Sequence, residues 1–151
     1  MGIVLLTLIV DQSSKAIVRY LMVEGQTLTV IPHVFHLTYI RNPGAAFGLF
    51  AHQTTFFVAA TLVVITLVLV AARRIPEHRW LLKISMGLIL GGAMGNLIDR
   101  LRSGLVVDFL DFRVWPVFNL ADSAIVIGAC LLVLEVWRGG QGPVQKKRGD
   151  S

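Results

Sequence analysis

The chain has 151 residues, of which 55% are hydrophobic and only 15% charged, with a formal net charge of +5. A soluble domain carries roughly 25% charged residues, and a core of this size cannot hide so much apolar side chain, so a water-soluble globule is excluded and lipid is the solvent that fits. The basic residues are dispersed or flank apolar runs, a membrane-topology pattern rather than a nucleic-acid-binding one.

Four apolar segments are predicted to span the bilayer, at about 1–23, 54–72, 80–98 and 114–136. About 20 residues at 1.5 Å rise cross a bilayer. The first segment is broken by Asp11, Lys15 and Arg19, and lacks both a basic leader region and a small-residue cleavage pattern. It is therefore expected to be a retained helix rather than a cleaved signal peptide. The second carries no charge, the third carries Lys83 near its start, and the fourth contains Asp122 and Glu135. Cys130, the single cysteine, lies in an apolar run and has no partner for an internal disulfide.

Arg73, Arg74 and Arg79 lie in the short second connection, and Arg138, Lys146, Lys147 and Arg148 in the tail. Placing these seven inside leaves four arginines outside (Arg41, Arg100, Arg102 and Arg113), and both termini are predicted to be cytoplasmic. The first outer loop, about 24–53, contains two β-branched and aromatic stretches around Pro32-His33, read as two short strands lying on the membrane surface. The fold class is thus a membrane all-α protein, four transmembrane helices with a small extracytoplasmic β-strand platform between helices 1 and 2. Residues 1–138 form one integral-membrane domain. Ala45 to Phe50 is read as a short interfacial helix, and 139–151 as a basic, disordered tail.

Ionisable residues within spans cost roughly 2.5–3.5 kcal/mol each to insert, so each calls for a reason. Asp11 and Lys15 lie four apart on one helix face, as an internal ion pair, as support for a site, or as both. Asn96, Asp99 and Arg100 share a face at the outer end of the third segment, after the small residues Gly91, Gly92, Ala93 and Gly95 that let helices approach closely. Asp108 and Asp111 alternate with apolar residues in Val106 to Phe112, where a solvated loop acid is the default for either alone. Asn119 and Asp122 sit three apart, and no basic residue lies within a turn of Asp122 on its helix. The predicted topology brings these groups to one depth near the outer leaflet, which scatter would not favour, and they are read as one site.

Two carboxylates held close cannot both ionise, so they share a proton and can act as base and acid upon a water and a scissile carbonyl. Other hydrolytic chemistries fit worse. There is no His-Glu-x-x-His zinc site and no Gly-x-Ser-x-Gly elbow. Ser14 and Lys15 are adjacent and point apart on a helix, and His33 and His36 read as strand or loop residues. A proton-coupled transporter would also hold carboxylates in helices, but it needs polar groups through the full depth. A non-enzymatic membrane scaffold would tolerate loss of Asp108 and Asp122.

Five blocks carry a resemblance to the lipoprotein signal peptidase (signal peptidase II) family: Asp11 to Lys15, Arg41 to Phe47, Gly91 to Arg100, Val107 to Phe109, and Phe118 to Asp122. Each is weak alone. In this order, on a four-segment chain, they are specific. The resemblance implies a bacterial inner-membrane aspartic endopeptidase that removes signal peptides from prolipoproteins, cutting before the diacylglyceryl-modified cysteine. It implies Asp108 and Asp122 as the catalytic pair. Asn42, Asn96, Asp99, Arg100 and Asn119 would shape the site and hold substrate backbone, and Asp11 and Lys15 would brace it. Arg100 anchors a substrate carbonyl or lipid headgroup, or pairs with Asp99. Implied partners are prolipoproteins, membrane lipids and globomycin-type inhibitors, with no nucleic acid, no metal or organic cofactor, and a monomeric state. Family members usually carry several residues, often basic, ahead of the first helix. Only ten precede Asp11 here, so the first span is expected to be short.

Overall fold

The protein is described by a computed structural model covering residues 1–44, 53–76 and 78–139. The expected interfacial helix at Ala45 to Phe50 and the basic tail lie outside the described residues. Four helices form, α1 (Gly2–Leu21), α2 (Thr54–Ala72), α3 (Trp80–Ser103) and α4 (Leu120–Gly139), with three strands, β1 (Thr27–Ile31), β2 (Phe35–Asn42) and β3 (Val106–Asp111). By length and composition, α2, α3 and α4 can cross a membrane. The charges of α3 and α4 lie toward their ends, whereas Asp11 and Lys15 interrupt the middle of α1.

Two boundaries differ from expectation. The third helix runs on to Ser103 and ends at Gly104, whose φ of 75° makes it a left-handed cap with its N–H on Arg100 C=O at 2.9 Å. The fourth begins at Leu120, not at 114. Apolar residues between Val114 and Phe118 made the span look longer, but their backbone is tied elsewhere: Phe118 exchanges hydrogen bonds with Leu110 at 2.8 and 3.1 Å.

The platform also needs correction. Its strand order is β1-β2-β3, all antiparallel, so it is built from the connections on both sides of the α2–α3 pair rather than from the first alone. Val106 to Asp111 is the inner-packed strand, with Val106, Val107, Asp108, Phe109 and Asp111 buried. The alternation of acids with apolar residues was a strand signal. The β1–β2 turn places Pro32 and His33 centrally, with Val34 N–H on Ile31 C=O at 3.1 Å and His33 at φ 64°. The sheet sits on the end of α1, where Val18 and Met22 pack with Tyr39, Val107 and Phe109 in a buried cluster.

Helix α3 is the hub, contacting α1, α2 and α4. Its glycines permit this. A Cβ on Gly91 would sit 2.7 Å from Thr7 Cβ of α1, and one on Gly92 would collide with Ala121 C=O of α4. Helix α2 buries no residue at all, as suits a helix surrounded by lipid.

Candidate active site

The site forms where the C-terminal half of α3, the N-terminus of α4, the middle of α1 and strands β2 and β3 meet. It lies at the opposite end of α3 from the arginines of the α2–α3 connection. At its base is Lys15, with its side chain 0% exposed. Its ammonium reaches Asp99 Oδ2 at 2.9 Å, Asp11 Oδ2 at 3.0 Å and Asn96 Oδ1 at 2.9 Å. Three donors meet three acceptors, the arrangement that offsets the desolvation of a buried cation. Asp11 does more than neutralise: its Oδ1 accepts from the free N–H of Ala121 in the first turn of α4 at 3.0 Å. The internal-pair and supporting roles therefore coincide.

From Lys15 the order passes upward. With Asn96 Oδ1 facing the ammonium, Asn96 Nδ2 donates to Asp122 Oδ1 at 2.7 Å. Asn119 is the N-cap of α4: its Oδ1 accepts from Asp122 N at 2.9 Å, and Asp122 Oδ2 accepts from Asn119 N at 3.2 Å. This is a reciprocal capping box. The remaining amide group, Asn119 Nδ2, points the other way and donates to Asp108 Oδ1 at 2.7 Å. Asn42 Nδ2 donates to Asp108 Oδ2 at 2.8 Å, delivered by the β2–β3 pairing that sets Asn42 opposite Val106. One residue, Asn119, thereby touches both aspartates.

Burial, and then the neighbouring Asp122 carboxylate, push Asp108 up to about 7, against the hydrogen bonds of Asn42 and Asn119 and the charge of Lys15. Asp111 behaves oppositely. Burial raises it, but the Thr38 hydroxyl at 2.6 Å, the Arg113 N–H at 2.9 Å and the Arg113 guanidinium hold it below its ordinary value. It is a strand-end anchor, tied to Thr38 and Arg113. The loop-acid default holds for neither.

The sequence-predicted residues Asp11, Lys15, Asn42, Asn96, Asp99, Asp108, Asn119 and Asp122 are joined in one hydrogen-bonded cluster. Arg100 stands at its edge. Its pairing with Asp99 does not form, because Lys15 occupies Asp99 Oδ2, and the Arg100 guanidinium carbon instead lies 5.3 Å above the Phe57 ring. Asp122, which has no basic residue within a turn on its own helix, is partnered by two asparagines. Gln12 was missed. Its Nε2 lies 3.1 Å from Asp11 Oδ2, 3.2 Å from Gly95 O and 3.3 Å from Asp99 Oδ1. Its place directly after Asp11 was the available signal.

Comparison with known proteins places the chain in a family. The family described as signal peptidase (SPase) II matches residues 3–138. The chain is 51% identical to the lipoprotein signal peptidase of Pelotomaculum thermopropionicum over 97% of this chain and 96% of that one. It is 56% identical to that of Moorella thermoacetica over 85% of each. A solved bacterial membrane enzyme superposes with a TM-score of 0.88 at 31% identity, covering 97% of this chain and 92% of the other. The class is that of an aspartic peptidase of the bacterial membrane. Within it, this chain belongs to the signal peptidase II family. A proton-coupled transporter is not favoured by these matches.

Proposed function

We propose that the protein removes signal peptides from prolipoproteins, cutting on the N-terminal side of the diacylglyceryl-modified cysteine, with Asp108 and Asp122 as the catalytic pair. The observation that carries the reading is a pair of carboxylates from different elements, Asp108 buried in β3 and Asp122 half-buried in α4, bridged by Asn119 in a chain of this family. The pair shares one proton. The ionised member takes a proton from water as it attacks the scissile carbonyl, and the protonated member delivers its proton to the leaving amine. Asn42, Asn96 and Asn119 fix the carboxylates, Asp11, Lys15 and Asp99 hold Asn96 and the α4 end in register, and Arg100 is available to a substrate carbonyl or headgroup oxygen.

In this reading all four helices span the membrane, both termini are cytoplasmic, and the site lies near the outer leaflet with the sheet as a platform for substrate. The arginines of the α2–α3 connection, at the far end of α3, support that orientation. A lipid-anchored cysteine keeps the scissile bond near the surface, so no deep water channel is required.

The test is cleavage of a diacylglyceryl-modified prolipoprotein in detergent by wild type, Asp108→Asn and Asp122→Asn. Each variant is expected to lose about 10²–10⁴-fold in rate, the usual worth of a positioned acid or base, while keeping its fold. A well-folded variant with near-normal activity excludes the two-aspartate mechanism.

A further inference from the structure

Among the described residues the Arg100 guanidinium makes no ion pair and no hydrogen bond, although it is half-buried and its charge acts on the Asp122, Asp108 and Asp99 carboxylates. The N–H fork of an arginine is all donor, and here it has no acceptor. Its neighbours on α3 are placed otherwise: Asp99 is bound to Lys15 at 2.9 Å, and Arg102 reaches Gln12 Oε1 at 3.4 Å. The contact that the Arg100 guanidinium does make is with an aromatic face, its Cζ lying 5.3 Å from the centre of the Phe57 ring.

Phe57 belongs to α2, the helix that buries no residue. Two features bring it to the site. Thr54, three positions before it and on the same helix face, donates its hydroxyl to Gly104 O at 3.0 Å, so the first turn of α2 is tied to the end of α3. The Phe57 ring also lies against Gly44, where an added Cβ would run into the ring. Gly44 has a φ of 96°, which glycine adopts without strain, and its N–H is bonded to Asn42 Oδ1 at 2.9 Å. Asn42 Nδ2 in turn holds Asp108 at 2.8 Å. One α2 side chain thus touches both the unpaired cation and the turn that orients Asn42.

We infer that Phe57 is a positioning residue of the peptidase: its ring holds the Arg100 guanidinium at the edge of the aspartate pair with N–H groups open to an acceptor oxygen of the substrate. The inference rests on the peptidase reading above and adds a residue that acts through Arg100. A carboxylate partner would occupy the donors that a substrate oxygen needs. A ring face attracts the charge through its quadrupole and leaves N–H groups open. A ring that merely filled space beside lipid would be replaceable by leucine.

The test compares full-length wild type, Phe57→Leu and Phe57→Tyr in cleavage of a diacylglyceryl-modified prolipoprotein in detergent, with the fold of each checked by thermal melt. Leucine keeps apolar bulk and loses the ring face, whereas tyrosine keeps the face. Phe57→Leu is expected to raise KM about fivefold, the worth of one partly exposed cation–π contact, with kcat little changed. Phe57→Tyr is expected to keep the wild-type KM. Phe57→Met, a second replacement without a ring, is carried in parallel in case the leucine variant folds poorly, and is expected to match it. Arg100 is followed directly through the proton resonance of its Nε–H, assigned by its absence in Arg100→Lys. The ring current of Phe57 is expected to hold that resonance upfield in wild type and Phe57→Tyr, and its loss to release it in Phe57→Leu and Phe57→Met.

Unchanged KM in the ringless variants, a loss carried by kcat instead, or a tyrosine variant as impaired as they are overturns the positioning role alone. So does an Arg100 resonance indifferent to the residue at position 57. Wild type that does not cleave the prolipoprotein overturns the peptidase reading, and the positioning role with it.

Discussion

An amide has an acceptor end and a donor end, and each of Asn96 and Asn119 is oriented by what its oxygen meets. Asn96 Oδ1 faces Lys15 at 2.9 Å, so its nitrogen must face Asp122. Asn119 Oδ1 is held by Asp122 N at 2.9 Å, so its nitrogen must face Asp108. Replacing Asn119 with Ala removes an N-cap, costing about 1 kcal/mol of stability, and also unties the two carboxylates. Thermal unfolding of Asn119→Ala should therefore shift modestly while peptidase rate collapses. A rate loss no larger than the stability loss implies would show that the bridge is structural only. Asp108 supplies a pH test. Its raised value means that Asp108 gives up its proton as pH rises through about 7, so on the two-aspartate reading kcat/KM should fall on the alkaline side of that point. A profile flat from pH 6 to 9 would contradict it.

At the scale of elements, what could be read from sequence follows from period and punctuation. Helices α2 and α3 were placed at their starts because uninterrupted apolar runs have one explanation in a membrane protein. The cluster was legible because charges in such runs are costly and therefore informative. Strand β3 was not recognised because six residues at period two, flanked by a glycine turn, resemble an interfacial loop until their hydrogen-bonding partner is known. That partner, β2, lies more than sixty residues upstream (Asn42 to Asp108), beyond any local pattern. The start of α4 was set too early because hydropathy counts Val114, Trp115 and Phe118 as span, whereas the capping box at Asn119 and Asp122 marks the real boundary. The glycines of α3 yield a direct prediction. Gly95→Ala would drive a methyl group into the Asp11 carboxylate, and Gly92→Ala into Ala121 C=O. Each should destabilise by about 1–3 kcal/mol, the range for overpacking. Gly2→Ala, with nothing within 4 Å of the added carbon, should be neutral in the same melt.

For the whole molecule, the buried trio of Lys15, Asp11 and Asp99 bears on biogenesis. Asp11 and Lys15 emerge from the ribosome early, while Asp99 and Asn96, which complete the ammonium's partners, lie more than eighty residues later. On the four-span reading, α1 carries charges whose insertion costs roughly 2.5–3.5 kcal/mol apiece, and it cannot reach full compensation until α3 has been made. Synthesis order and assembly order therefore diverge: α1 is translated before α2 and α3 but cannot settle fully until α3 has been made. A chain truncated after Ala72 should leave α1 incompletely inserted by glycosylation mapping, and co-expression of 73–151 should restore it. Lys15→Leu in the truncated chain should restore it without any help. An α1 that inserts fully in the unmodified truncation would mean that Asp11 and Lys15 neutralise each other well enough alone.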